Sequence, residues 1–297
     1  MKIGFLIRKI VRVPYYTFNK FKKKSNLLIN KLFFRVTRKE LLLKLKKIGL
    51  KRGDVVYIHS SISSFGYIQG GADAVLNIIL KLIGDKGTIV IPSFTHKTDV
   101  FDFKNTKCWT GKLSENLRLR RDSFRSIHPT HSVVAFGPLA EEITKSHEKS
   151  KAPFDENSPF HKIAKRKSYI LMLGTENNSM IHYVQNKINF PNLFLDKLFE
   201  CKYLINGKIK SMKTKLHHPN GSIKYICNSR LCTDVQFLVK MYKDEKFKEN
   251  NYMKTIRIGK AVCHLINTQD FVRISTKYLQ NNIKRYKKEY NSLIKNG

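Results

Sequence analysis

Two short apolar runs bracketing an amphipathic one constrain the fold more than any other feature of the chain. Residues 55–60, VVYIHS, are β-branched-rich and too short for a helix, which marks a buried strand. Residues 71–87, GADAVLNIILKLIGDKG, keep apolar positions at helical spacing and predict an amphipathic helix that stops at Gly84. Residues 88–94, TIVIPSF, then form a second buried strand. Strands joined through a crossover helix run parallel, and a parallel sheet needs helices on both faces because its strands are apolar on both sides.

The flanking pattern extends this unit. In VTRKELLLKLKKIGLKRGD, Thr37 is the expected N-cap, Leu41, Leu42, Leu45 and Ile48 share a helix face, and Gly49 stops the helix. HSVVAFG, SYILMLG and KYLI predict further strands, and residues 253–280 predict one strand followed by a helix. The expected fold class is α/β, a three-layer α/β/α domain with a mostly parallel central sheet. Residues 1–35 read as a basic amphipathic arm, and 36–297 as the globular domain, compatible with a small subdomain after about residue 200.

Charge is the most unusual property of the composition. Lys and Arg number 57 against 22 Asp and Glu, a formal charge of +35. That balance suits an anionic partner: nucleic acid, an acidic membrane surface or a phosphorylated ligand. Drift towards lysine explains it equally well, since the basic residues are spread along the whole chain. No recognisable nucleic-acid motif accompanies the charge, which disfavours that partner.

Cys108, Cys201, Cys227, Cys232 and Cys263 contain no C-x-x-C pair and fit no zinc spacing, so they read as free thiols in a reducing compartment. No apolar run reaches the ~18 residues of a spanning helix. The opening segment carries Lys2, Arg8, Lys9 and Arg12 among its apolar residues, unlike a signal peptide. The expected location is cytoplasmic, with the arm peripheral on the inner membrane surface.

Three clusters carry chemistry. His59-Ser60-Ser61-Ile62-Ser63-Ser64-Phe65-Gly66, with Gly70-Gly71-Ala72, follows a strand and opens a helix. Such a loop offers backbone N–H groups to phosphates or an amide ligand, although a turn plus a helix cap has the same composition. Arg125-Ser126-Ile127-His128-Pro129-Thr130-His131-Ser132 packs polar groups into one turn, either a hydrogen-bonded wall or a pocket in which Arg125 binds an anion. Ser179, His182 and Gln185 repeat every third residue at the start of a helix, a pattern suited to proton transfer.

In this order, HSSISSFGYIQGGADAV, GDKGTIVIPSF, GKLSENLR, RSIHPTHSVVAFG, SPF, LGTENNSMIHYVQ and IGKAVCHLINTQDFV resemble the aminoglycoside 3-N-acetyltransferase family over about residues 37–275. The resemblance implies an acetyl-CoA-dependent N-acetyltransferase with a fold distinct from the GNAT fold. It also implies direct acyl transfer, without a metal or a covalent intermediate. On the matching positions, His182 is implied as the base and Ser179 as a hydroxyl near the developing oxyanion. Ser60, Ser61, Ile62, Gly70, Gly71 and Ala72 would line the pantetheine and phosphates, and Arg125 and Ser126 the same groove. Gln185 stands where the family usually has glutamate. An amide oxygen still accepts the ring N–H but carries no charge; Glu115 or Glu176 could supply one. His217, His218 and Pro219 read as a polar surface loop more readily than as a contribution to the acceptor site.

The implied acceptor is an amino group of an amino sugar. The positive chain favours a nucleotide-linked amino sugar over a polycationic aminoglycoside. The alternative is a weakly active or inactive CoA-binding protein serving as a membrane-associated scaffold.

Overall fold

A computed structural model describes residues 29–96, 98–190, 193–217, 241–243, 247 and 251–295. The arm's residues 1–28, Cys227, Cys232, His218 and Pro219 lie outside them.

In chain order the elements are β1 (Arg35–Val36), α1 (Arg38–Ile48), β2 (Val55–Ser60), β3 (Tyr67–Ile68), α2 (Gly71–Ile83), β4 (Thr88–Pro92), β5 (Val100–Asp102) and α3 (Lys112–Arg118). Then come β6 (Phe124–Arg125), β7 (Val133–Phe136), α4 (Ala140–Thr144), α5 (Pro159–Ala164), β8 (Tyr169–Leu173) and α6 (Met180–Lys187). The chain continues through β9 (Phe194–Ile205), β10 (Lys208–His217), β11 (Met253–Ile258), β12 (Ala261–Asn267) and α7 (Thr268–Lys295).

Seven strands form the central sheet in the order β11-β12-β8-β2-β4-β7-β6. Its middle is the parallel trio β8-β2-β4, and only β7 and β12 run against the common direction. Alternation along β2 builds both cores, because successive side chains leave a strand on opposite faces. Val56 and Ile58 pack with Leu41 and Leu45 of α1, Val75 and Ile79 of α2, and Leu113 and Leu117 of α3. Val55 and Tyr57 pack on the other side with Ile143 of α4, Phe160 of α5, Met180 and Val184 of α6, and Phe271 of α7. The result is three layers, as the alternating pattern of strands and helices predicts.

The helix signals act as expected where they are used. The Thr37 hydroxyl accepts from the Glu40 amide at 3.1 Å, and Gly49 closes α1 at φ +118°. Two expectations need correction. Residues 253–267 form a hairpin, β11–β12, ahead of α7, because Gly259 at φ +54° turns the chain within what reads as one strand. The KYLI strand does not join the central sheet. It belongs to β9, which pairs with β10 through an Asn206-Gly207 turn and with β5 in a separate three-stranded sheet.

Among the described residues, no helix is long and apolar enough to cross a membrane. No group of three or more His, Cys, Asp or Glu is placed to hold a metal ion there either. Cys108, Cys201 and Cys263 are free thiols.

Candidate active site

The carboxyl ends of β2, β4 and β8 open into one cavity of about 1230 Å³. Ligands of open α/β sheets bind at this end because loops and helix starts converge there. Ser60, Ser61 and Ile62 line one side of the cavity with Gly70, Gly71 and Ala72, while Ser179 and His182 line another.

The Ser60–Ala72 loop is shaped for a close-lying ligand. Gly70 and Gly71 have φ of +85° and +59°, so the chain enters α2 through a backbone few other residues adopt. A Cβ on Gly71 would meet no atom within 4 Å, so its cavity-facing side is open. The first helical bond of α2 runs from the Ala74 amide to the Gly70 carbonyl. The amides of residues 71–73 precede it and lie at the positive end of the helix dipole, where phosphate is favoured. Lys112 at the start of α3 adds a cation to the lining.

Next to the loop lies a polar network on β2 and α6. Gly174 ends β8 at φ +66°, and a Cβ there would fall 1.9 Å from the Ser64 hydroxyl, so only glycine lets the two loops meet. Beyond it, α6 presents His182 and Gln185 on one face. The His182 Nδ1 lies 2.8 Å from the Gln185 Oε1. An amide oxygen can only accept, so Nδ1 carries the ring proton and Nε2 the lone pair. Ser179 Oγ lies 2.6 Å from the Tyr57 hydroxyl and 3.2 Å from His59 Nε2. Burial raises the Tyr57 pKa, so it stays a neutral phenol. Enclosure first, then the nearby His182, pushes the His59 pKa down to about 3, which leaves this imidazole neutral.

Arg125 and Ser126 are not in this cavity, which corrects the groove assignment. The Arg125 guanidinium donates to the carbonyls of Ser93, Phe103 and Thr106 and to the Ser132 hydroxyl, and lies over the Phe101 ring. Its donors tie β6 to neighbouring loops, leaving little to offer an anion. Ser126 is fully buried and accepts from the Val133 amide. His147 Nε2–H donates to the Pro153 carbonyl, so its Nδ1 accepts from the Ser126 hydroxyl at 2.9 Å. The turn around Pro129 is a hydrogen-bonded wall. Glu115 is likewise occupied: its hydrogen bond with Arg118, above all, lowers its pKa to about 2. Neither Glu115 nor Glu176 is among the cavity-lining residues.

The sequence reading omits Tyr57 and gives His59 no role beyond the head of the Ser60–Ala72 loop. Their signal is a tyrosine and a histidine two residues apart in an otherwise apolar strand, hence on one face of the sheet.

The aminoglycoside 3-N-acetyltransferase family model matches residues 57–280. The chain belongs to that family. It is 26% identical over 268 residues to aminoglycoside N(3)-acetyltransferase III of Salmonella sp, covering 82% of this chain and 91% of the relative. It is 25% identical over 278 residues to the SPbeta prophage-derived aminoglycoside N(3')-acetyltransferase-like protein YokD of Bacillus subtilis (strain 168), covering 84% and 94%. The solved structure of AAC-IIIb in binary complex with CoASH superposes with a TM-score of 0.71 at 19% identity, covering 84% of this chain and 98% of that one. The enzyme class that the sequence implies, an N-acetyltransferase of the aminoglycoside 3-N-acetyltransferase type, therefore stands.

Proposed function

We propose that this enzyme transfers the acetyl group of acetyl-CoA to an amino group of an aminoglycoside-type amino sugar in this cavity, with His182 as the base. One observation carries the reading: the 2.8 Å contact between His182 Nδ1 and Gln185 Oε1, with His182 lining the same cavity as the Ser60–Ala72 loop. The loop and the start of α2 hold the phosphates and pantetheine. His182 Nε2 takes the proton from the amine as it attacks the thioester carbonyl. Gln185 fixes the tautomer that makes Nε2 basic. The Ser179 hydroxyl donates to the carbonyl oxygen as negative charge develops there. When the C–S bond breaks, the CoA thiolate leaves and the imidazolium returns a proton to it.

A second reading of the acceptor draws support from charge. Among the described lining residues, Asp73 at the start of α2 is the only carboxylate, and its Oδ1 accepts from the Asn116 amide of α3. The wall around His182 has none to meet a polycation. An amino sugar linked to a nucleotide, anionic through its phosphates, suits that wall better.

One experiment separates these readings: thiol release from acetyl-CoA with a panel of aminoglycosides and nucleotide-amino sugars, products verified by mass spectrometry. Acetylation of either class supports acyl transfer and assigns the acceptor. No release with any amine, in a protein that binds CoA, supports the non-catalytic alternative instead. The basic arm, residues 1–35, is proposed to hold the enzyme on an anionic membrane surface. Equal flotation with anionic vesicles by chains with and without the arm would reject that role.

A further inference from the structure

We propose that Tyr57 and His59 are positioning residues for the Ser179 hydroxyl: Tyr57 donates to it, and His59 parks its proton until the acetyl carbonyl needs it. This role rests on acetyl transfer in the cavity, as proposed above. The proton count fixes the direction of every bond. The Ser179 amide donates to His59 Nε2 at 3.2 Å, so Nε2 bears no proton. Ser179 Oγ lies at the same 3.2 Å from Nε2, so the hydroxyl must be the donor in that contact. With its proton committed, Oγ can only accept from Tyr57 across 2.6 Å. The chain runs one way: Tyr57 O–H to Ser179 Oγ–H to His59 Nε2.

Three consequences bear on acyl transfer. Accepting from Tyr57 polarises the serine hydroxyl and makes it a better donor. His59 shares one lone pair between two donors, so the hydroxyl can swing to the substrate while the Ser179 amide keeps the ring nitrogen satisfied. Its departure leaves no orphaned acceptor beside the core, the costly outcome in a closed site. The first two amides at the start of α6 are also engaged, Ser179 N with His59 and Met180 N with Asn178 Oδ1. The hydroxyl is thus the donor this helix start has left for an oxyanion.

The test is a double-mutant cycle in the thiol-release assay. Tyr57→Phe keeps the edge contact with Phe160 and removes one hydroxyl. It is expected to lower kcat about tenfold while KM for acetyl-CoA and the thermal midpoint stay near wild type. Ser179 makes no side-chain cap bond to α6, so Ser179→Ala should fold. In that background Tyr57→Phe should cost nothing further, whereas in Ser179→Thr, which keeps a hydroxyl, the tenfold loss should persist. An equal loss with and without the hydroxyl at 179, or no loss at all, would overturn the positioning role. If the wild type transfers no acetyl group to any amine, the functional reading fails first. The hydrogen-bond chain is then read by 15N resonances of the His59 ring. An unprotonated Nε2 that shifts in Tyr57→Phe and Ser179→Ala upholds it, and a protonated Nε2 overturns it.

Discussion

Two histidine-bearing regions of this protein look alike in the sequence and differ in the fold. One, around His182, sits at the start of α6 on the wall of the cavity. The other, around His128 and His147, lies under the loop that follows β6, with both rings fully buried. In the second region polar atoms turn inward: His128 Nδ1 accepts from the Thr130 and His131 amides, and His147 is bonded through both nitrogens. In the first, one bond fixes the tautomer and the ring lines a cavity. A dense set of polar residues identifies a network. Both networks lie at the carboxyl end of β4, where Pro92 pairs with Val133, and of these three histidines only His182 lines the cavity.

The sharpest way to break this contrast is to remove one group from each region. His182→Ala should lower kcat by ~10²–10⁴-fold, the usual worth of a general base, while the protein stays folded after losing the Gln185 bond and the Phe154 ring contact. Arg125→Met should do the reverse. Four donor contacts vanish from a buried site, so stability should fall by about 3 kcal/mol in denaturant unfolding, with kcat per folded molecule unchanged. A loss of turnover in Arg125→Met without loss of stability would return this residue to the active site.

Acid should separate the regions next. Burial, more than any neighbouring charge, holds the His147 pKa at about 3 and that of His128 well below its ordinary value of 6.5. Below pH 6.5 the unfolded chain binds protons that the folded rings refuse. Stability should therefore be flat above about pH 7 and fall towards pH 3, by up to ~1.4 kcal/mol per pH unit for each ring. Urea midpoints at pH 7 and 5.5 read the slope, and His147→Asn should lessen it by one ring's share, leaving those of His128 and the active-site His59. A smaller effect is expected at Gln185, whose carboxamide orients His182 without stabilising its protonated form. Gln185→Glu should raise kcat a few-fold or leave it unchanged, in line with a charged hydrogen bond. If it abolishes turnover, Gln185 binds substrate rather than orienting the ring.

The parts of the molecule legible in the sequence are those fixed by local rules. The strand-helix-strand unit, the Thr37 and Gly49 caps and the Ser179, His182, Gln185 spacing follow from periodicity and capping alone. Arg125 was misassigned because a guanidinium beside two histidines has the same sequence signature whether it faces a ligand or three backbone carbonyls. Tyr57 is hidden by its apolar strand, and the contact of His59 with Ser179 is not legible either, since only tertiary packing brings β2 against the start of α6. The β11–β12 hairpin was missed because Gly259 and Lys260 leave the β-branched pattern nearly unbroken. The β9–β10 hairpin left a clearer trace in Asn206-Gly207, a pair suited to the positive φ of a tight hairpin turn.

The central claim is that one cavity both receives CoA and carries the transferring base. Trp109, the only tryptophan of the chain, lines that cavity and is 57% exposed, so its emission reports occupancy directly. Acetyl-CoA should be titrated into the wild type and His182→Ala while Trp109 emission and thiol release with an accepted amine are followed in parallel. The expected result is a saturable emission change with the same midpoint in both proteins, and thiol release in the wild type alone. Unchanged Trp109 emission at acetyl-CoA concentrations that saturate wild-type turnover, or equal turnover by His182→Ala, would contradict the claim.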